Sequence, residues 1–199
     1  EPTSIAGLLA SARTLPSPAA EVALVTAIEL MLQNGQSEQV PAAIARINRA
    51  ETLPSRLQYR IALIQADIAL RQNQPQIALD WLTGDLINTE VIDPLLQTQL
   101  IRLQANALLA NNQAREAAET FMALPTSVNT SNLPDLHDNI WASLQRLNQS
   151  ELNDMASNSD SYSSRGWLEL AIVISAEQHS IKAQLDAILR WQRVWASHP

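Results

Sequence analysis

The sequence repeats itself at an interval too long for any single helix or strand. Ala27, Ala66 and Ala105 lie 39 residues apart in turn, and so do Asn34, Asn73 and Asn112. Apolar positions keep the same register: Val22, Ile61 and Leu100; Val25, Ile64 and Leu103; Leu30, Ala69 and Leu108; Val40, Leu79 and Ala118. Each unit reads as an apolar helix, a short polar turn and a second helix rich in alanine. The turns are Gln33-Asn34-Gly35, Gln72-Asn73-Gln74 and Asn111-Asn112-Gln113. One hairpin of this length cannot bury its apolar side alone, so neighbouring hairpins must share a core. The expected fold is all-α, a helical-hairpin solenoid with three repeats over residues 1–125. The register fails beyond Pro125, and residues 126–199 are expected to form an irregular helical cap that continues the same array as a single domain.

Composition agrees with this reading and narrows the function. Four Gly, ten Pro and 46% hydrophobic residues suit a helical chain with a sizeable core. A formal net charge of −7 argues against nucleic acid, whose binding needs a basic surface to displace counterions. Lys182 is the single lysine, and no basic run suggests an anionic membrane surface. The absence of Cys leaves the redox compartment open. No apolar run approaches the ~20 residues that span a bilayer. The opening Glu1-Pro2-Thr3-Ser4, with neither Met nor a signal-peptide pattern, is read as that of a mature fragment or of an expressed piece of a longer chain, either of which would have left any anchor behind.

Caps and prolines set the expected boundaries. Ser4 caps a first helix to Thr14, and Ser17 caps a second with Pro18 at its first position, ending near Leu32. Ser37 caps a third helix that tolerates Pro41 in its first turn. Ser55 opens a helix over Arg56 to Arg71, with Leu57, Ile61, Ile64 and Ile68 at helical spacing. Asp67 and Arg71 stand in the favourable i, i+4 orientation for an ion pair. Pro75 starts a short helix ending near Thr83-Gly84, and Asp93-Pro94 caps a helix to Ala110, partnered by one from Ala114 to Ala123. Polar loops are expected over Thr126 to Asn132 and Asn158 to Ser164. Between them lie a helix from Pro134 to Leu147 and a short one capped by Ser150; two final helices run over Gly166 to Glu177 and Ser180 to Ala196.

The second and third units resemble tetratricopeptide repeats of unusual length. In that family a small residue in the first helix is followed twelve residues later by a small one in the second, as Ala78 follows Ala66 and Ala117 follows Ala105. Four residues further on the family carries an aromatic, which is Phe121 in the third unit but Leu82 in the second. The usual period is 34, Leu124 replaces the next small residue, and Pro125 ends the helix early. A mixed helical-repeat array fits these departures as well.

A narrower resemblance lies in the last third. Asn139-Ile140-Trp141-Ala142-Ser143-Leu144, Gly166-Trp167-Leu168-Glu169-Leu170, and Trp191-Gln192 with Trp195 and the closing His198-Pro199 are similar to segments of the N-terminal domain of the LpoA family. That family comprises outer-membrane lipoproteins that activate a class A penicillin-binding protein in Gram-negative bacteria. The resemblance implies a non-catalytic scaffold or spacer on the periplasmic side of the outer membrane. In the family this domain follows a lipidated Cys and precedes a larger domain of periplasmic-binding-protein fold. The synthase contacts belong to that larger domain, so no binding residue is carried over to this chain.

The residues themselves mark no reaction centre, and neither an enzyme nor a cofactor or metal is expected. His137, His179 and His198 lack metal-ligand spacing. No Ser lies in a Gly-x-Ser-x-Gly or Ser-x-x-Lys pattern, and the glycines are isolated. Glu169 and Glu177 read as solvated positions on one helix. Trp81, Trp141, Trp167, Trp191 and Trp195 suit either a sugar-stacking platform or buried seams, and the i, i+4 spacing of the last two favours the seam. The candidate partner-binding face is the inner side of the first helices, carrying Arg60, Asp67, Arg71, Gln99, Arg102 and Asn106. Three arginines in one groove suit an acidic or C-terminal carboxylate segment, and the bland alternative is a solvated polar face. The rival to a spacer is therefore a peptide-binding tetratricopeptide adaptor using this face.

Overall fold

The computed structural model describes residues 4–47, 50–87, 93–124 and 133–177, with 185–186, 188–190 and 192–193. Among these the chain is all-α: α1 Ile5–Thr14, α2 Ala19–Gln33, α3 Val40–Ile44, α4 Ser55–Arg71, α5 Pro75–Thr83, α6 Pro94–Ala110, α7 Ala114–Met122, α8 Leu133–Leu144, α9 Gln149–Asn158 and α10 Tyr162–Glu177. Two compact units divide at Leu103/Gln104, within α6. The boundary read at Pro125 marks where the sequence register is lost, and that residue lies outside the described ones.

The turns explain why the repeat is audible in sequence. Gly35, Asn73 and Asn112 each adopt positive φ, at 72°, 57° and 60°. After each, the next amide donates back to a carbonyl five residues earlier: Gln36 to Met31 at 2.8 Å, Gln74 to Ala69 at 2.8 Å and Gln113 to Leu108 at 2.9 Å. The left-handed residues themselves donate to Leu32, Leu70 and Leu109. This paired pattern is the Schellman ending of an α-helix, which needs a residue that tolerates the left-handed region. Gly does so freely and Asn at small cost. In the first unit Gly35 takes the role one position after the repeat Asn34.

In the first unit α1 and α3 pack on α2, α2 on α4, and α4 on α5. The core runs through Val25, Ile28, Met31, Val40, Leu57, Ile61 and Ile64, with Ile5, Leu9 and Ile68 packed against it. Ala27 and Ala66 are both fully buried, because only a methyl side chain lets the helices approach there. In the second unit α7 packs on α8, and α10 on both α8 and α9. Its core holds Ala105, Ala117, Phe121, Ile140, Leu144, Leu152, Met155, Leu168 and Ile172.

Several boundaries move for local reasons. Ser4 caps α1 as expected, its Oγ accepting from Gly7 N at 3.1 Å. Ser17 does not cap α2, whose capping position is Pro18 with no side-chain bond. Residues 37–39 form a 3-10 turn ahead of α3. Asn148, not Ser150, caps α9: its side chain accepts from Glu151 N at 3.0 Å while the Glu151 carboxylate accepts from Asn148 N at 2.8 Å. That reciprocal box satisfies two orphan donors, which a single Ser cannot do. α8 ends at Leu144, before the predicted Leu147. α10 begins at Tyr162, inside the polar stretch read as a loop, with Ser161 Oγ within 3.5 Å of Ser164 N. The predicted loop at Thr126 to Asn132 lies outside the described residues apart from its neighbours, and so does most of the predicted last helix.

Candidate functional site

The predicted inner face is a cleft in the first unit. Arg56, Arg60, Ile64, Asp67 and Arg71 recur every three or four residues along α4, so they share one side of it. They line a cavity of about 430 Å³ together with Glu29, Leu32 and Gln33 of α2, Asp93 ahead of α6, and Leu95, Leu96, Gln99, Arg102 and Leu103. Five of the six residues expected on this face are therefore brought together. Asn106 is not among the lining residues; it sits further along α6 and is half-buried.

The arginines differ in what already holds them. Arg60 is not the exposed residue expected, with a side chain only 19% exposed. Its Nε and Nη2 donate to the two carboxylate oxygens of Glu29 at 2.9 and 2.6 Å, and Nη2 also reaches Thr26 Oγ1 at 3.0 Å. This bidentate geometry is the strong form of an arginine–carboxylate pair and ties α4 to α2. Arg71 donates to Asp67 at 3.0 Å, the i, i+4 pair read from sequence. Arg56 donates to Asp93 at 2.7 Å, and the other Asp93 oxygen caps α6 by accepting from Leu95 N at 3.0 Å. Arg102 is exposed and, among the described residues, has no hydrogen-bonding or ion-pair partner. Four guanidinium groups thus face three carboxylates in a chain whose net charge is −7. Beside them Leu95 stands 65% exposed.

Sequence reasoning missed Glu29, Arg56 and Asp93. Their partners lie 31 and 37 residues away, and no helical spacing signals such pairs. It also misread Glu169. That side chain is 2% exposed, and both its oxygens accept from Arg190 Nε, at 3.1 and 2.8 Å. Arg190 Nη1 donates in addition to Asn153 Oδ1 at 2.9 Å. The pair fastens the segment around Arg190 to α9 and α10.

Trp81, Trp141 and Trp167 are half-buried rather than core residues, and the Trp167 ring lies 5.3 Å from exposed His137 at 55°. Trp191, Trp195, His179 and His198 lie outside the described residues. In the second unit a cavity of about 560 Å³ is floored by Met122, Met155 and Leu168 and rimmed by Ser159, Ser161, Ser163 and Ser164. Arg115 at its edge is held by Asp154 at 2.7 Å and Glu119 at 3.2 Å. Among the described residues no three His, Cys, Asp or Glu side chains converge as metal ligands, and no helix is long and apolar enough to cross a membrane.

Among the described residues these features define an all-helical protein with an arginine-lined cleft. Residues 6–199 match the family described as "LppC putative lipoprotein", and the chain belongs to that family. It is 24% identical over 177 residues to the penicillin-binding protein activator LpoA of Dickeya chrysanthemi, covering 87% of this chain and 25% of that protein. For the Vibrio cholerae protein of the same name the identity is 23%, covering 88% of this chain and 29% of the relative. The chain therefore spans between a quarter and a third of the curated relatives it matches. The fold is that of the Escherichia coli LpoA amino-terminal domain, with a TM-score of 0.68 at 18% identity over 98% of this chain and 86% of that one. Haemophilus influenzae LpoA aligns with a TM-score of 0.69 at 17% identity, covering 98% of this chain and 35% of the other.

Proposed function

We propose that this chain is a non-catalytic scaffold domain of an outer-membrane lipoprotein that activates a peptidoglycan synthase, a class A penicillin-binding protein, from the periplasmic side. The observation that carries the proposal is the family match over residues 6–199, joined to relatives named as penicillin-binding protein activators. Because those relatives are three to four times longer, the domain's part is to space and orient the activating portion. A stacked helical array suits that task, since each hairpin layer adds roughly 8–10 Å. The single array of three repeats (1–125) and a cap (126–199) belongs to this proposal. So does its tetratricopeptide-like character, which the burial of Ala66, Ala78, Leu82, Ala105, Ala117 and Phe121 supports.

The test is capture of the periplasmic part of the organism's class A penicillin-binding protein by this chain and, side by side, by a longer chain that includes the following domain. Capture by the longer chain alone supports the spacer reading. Capture by neither refutes the activator assignment.

One observation favours a second role. Arg102, which has no partner among the described residues, and the exposed Leu95 on one cleft suit an adaptor that holds a peptide segment there. Capture of the synthase by this chain itself, lost in an Arg71→Glu/Arg102→Glu variant, is the outcome expected of the adaptor.

A further inference from the structure

Three of the cleft's four guanidinium groups each hold one side-chain carboxylate. Glu29 serves Arg60, Asp67 serves Arg71 and Asp93 serves Arg56. Among the described residues Arg102 has no carboxylate partner. On α6, Leu95, Gln99 and Arg102 stand at i, i+4 and i+7, a single stripe along one side of the helix. The stripe thus carries an exposed apolar side chain at one end, an amide in the middle and, at the other, a cation with no partner among the described residues. Opposite it, Ile64 and Leu63 of α4 and Leu32 of α2 supply an apolar wall.

The distance between the ends defines a ligand. Seven helical residues rise roughly 10 Å at 1.5 Å each, and a peptide in the extended polyproline II conformation covers that span in about three residues at roughly 3.1 Å each, with the side chains at both ends on one face. We propose that this cleft binds an extended segment of a partner protein in which an acidic side chain lies three residues from a large apolar one. The acidic group pairs with Arg102, the apolar side chain covers Leu95 and Leu96, and Gln99 hydrogen-bonds the intervening backbone. A side-chain carboxylate is the committed group because the cleft already holds three of them against its other arginines. The inference rests on the adaptor reading of the cleft and supplies that reading's ligand chemistry.

Gln99 strengthens the assignment. It is exposed at the centre of the stripe, and an amide offers both a donor and an acceptor to a peptide backbone. An apolar residue left 65% exposed at the edge of such a cleft gives the segment an anchor; the charged partner then sets its register. The other arginines contribute less, since each must release an internal carboxylate before accepting a new one.

The experiment is a nuclear magnetic resonance titration of the isotope-labelled 199-residue chain with short blocked peptides. The probes are acetyl-Gly-Leu-Ser-Gly-Glu-Ser-amide and the same residues in reverse order, covering both chain directions. At least one should shift amide signals along Leu95–Leu103 and Arg60–Arg71. Replacing Glu by Gln in that peptide, or Arg102→Glu in the protein, should weaken binding at least tenfold, and Leu95→Ser about threefold. Both protein positions are exposed, and the unliganded spectra report directly whether each variant keeps its fold. Should Arg102→Glu leave the affinity unchanged, or neither peptide shift these signals at millimolar concentration, the proposal is overturned. A neutral peptide with a free C-terminal carboxylate binding in place of the Glu peptide overturns the side-chain assignment. Synthase capture by the longer chain is independent of these titrations, so their failure leaves the activator assignment standing.

Discussion

Arg190 offers a quantitative test of how the second unit is held together. Its replacement by Met keeps the aliphatic volume and removes both contacts to Glu169 and the one to Asn153. The Glu169 carboxylate, 2% exposed, is then left without its countercharge. Stranding a buried charge in this way typically costs about 3–5 kcal/mol. Arg190 is itself 41% exposed, so water reaches the vacated side, and the lower end, about 3 kcal/mol, is expected. At roughly 2–4 °C per kcal/mol for a chain of this size, the melting temperature falls by about 6–12 °C. Urea and thermal unfolding followed by circular dichroism measure the loss. The double variant Arg190→Met/Glu169→Leu removes the charge as well as its partner and should recover to within about 1 kcal/mol of the parent, since an apolar pair of similar volume is often neutral. If Arg190→Met costs less than about 1 kcal/mol, or the double variant is no better than the single, the buried pair does not fasten this region.

The turn and the buried phenol give two further tests. Gly35 has φ 72° with nothing within 4 Å of an added Cβ, so Gly35→Ala meets only backbone strain and should cost about 1–2 kcal/mol in denaturant unfolding; a neutral result would refute the left-handed turn. Burial of Tyr59 pushes its phenol above the ordinary 10.0. The unfolded chain then releases that proton first, so stability declines as pH rises beyond about 10. Tyr59→Phe should flatten that alkaline decline, and an unchanged pH profile would count against the burial.

The sequence alone determined what depends on neighbours a few residues away. Three helix endings were legible because a left-handed residue must be Gly or tolerant Asn, and Gly35, Asn73 and Asn112 supply them. The alanines at 27, 66 and 105, all fully buried, were legible because close helix approach selects a small side chain at each turn of the repeat. The Asp67–Arg71 pair followed from helical spacing. Five of the six residues placed on the cleft were found for the same reason: one side of a helix is periodic.

Only the tertiary structure decided which of those residues remain free. Arg60 and Arg102 look alike in sequence, yet Glu29, 31 residues from Arg60, neutralises the first, while the second meets no carboxylate among the described residues. Glu169 read as solvated because its partner, 21 residues away, bears no periodic relation to it. Helical spacing assigns a side chain to a face; the packing of several helices then determines what that face meets. Pairing across such distances depends on that packing, which local spacing does not encode.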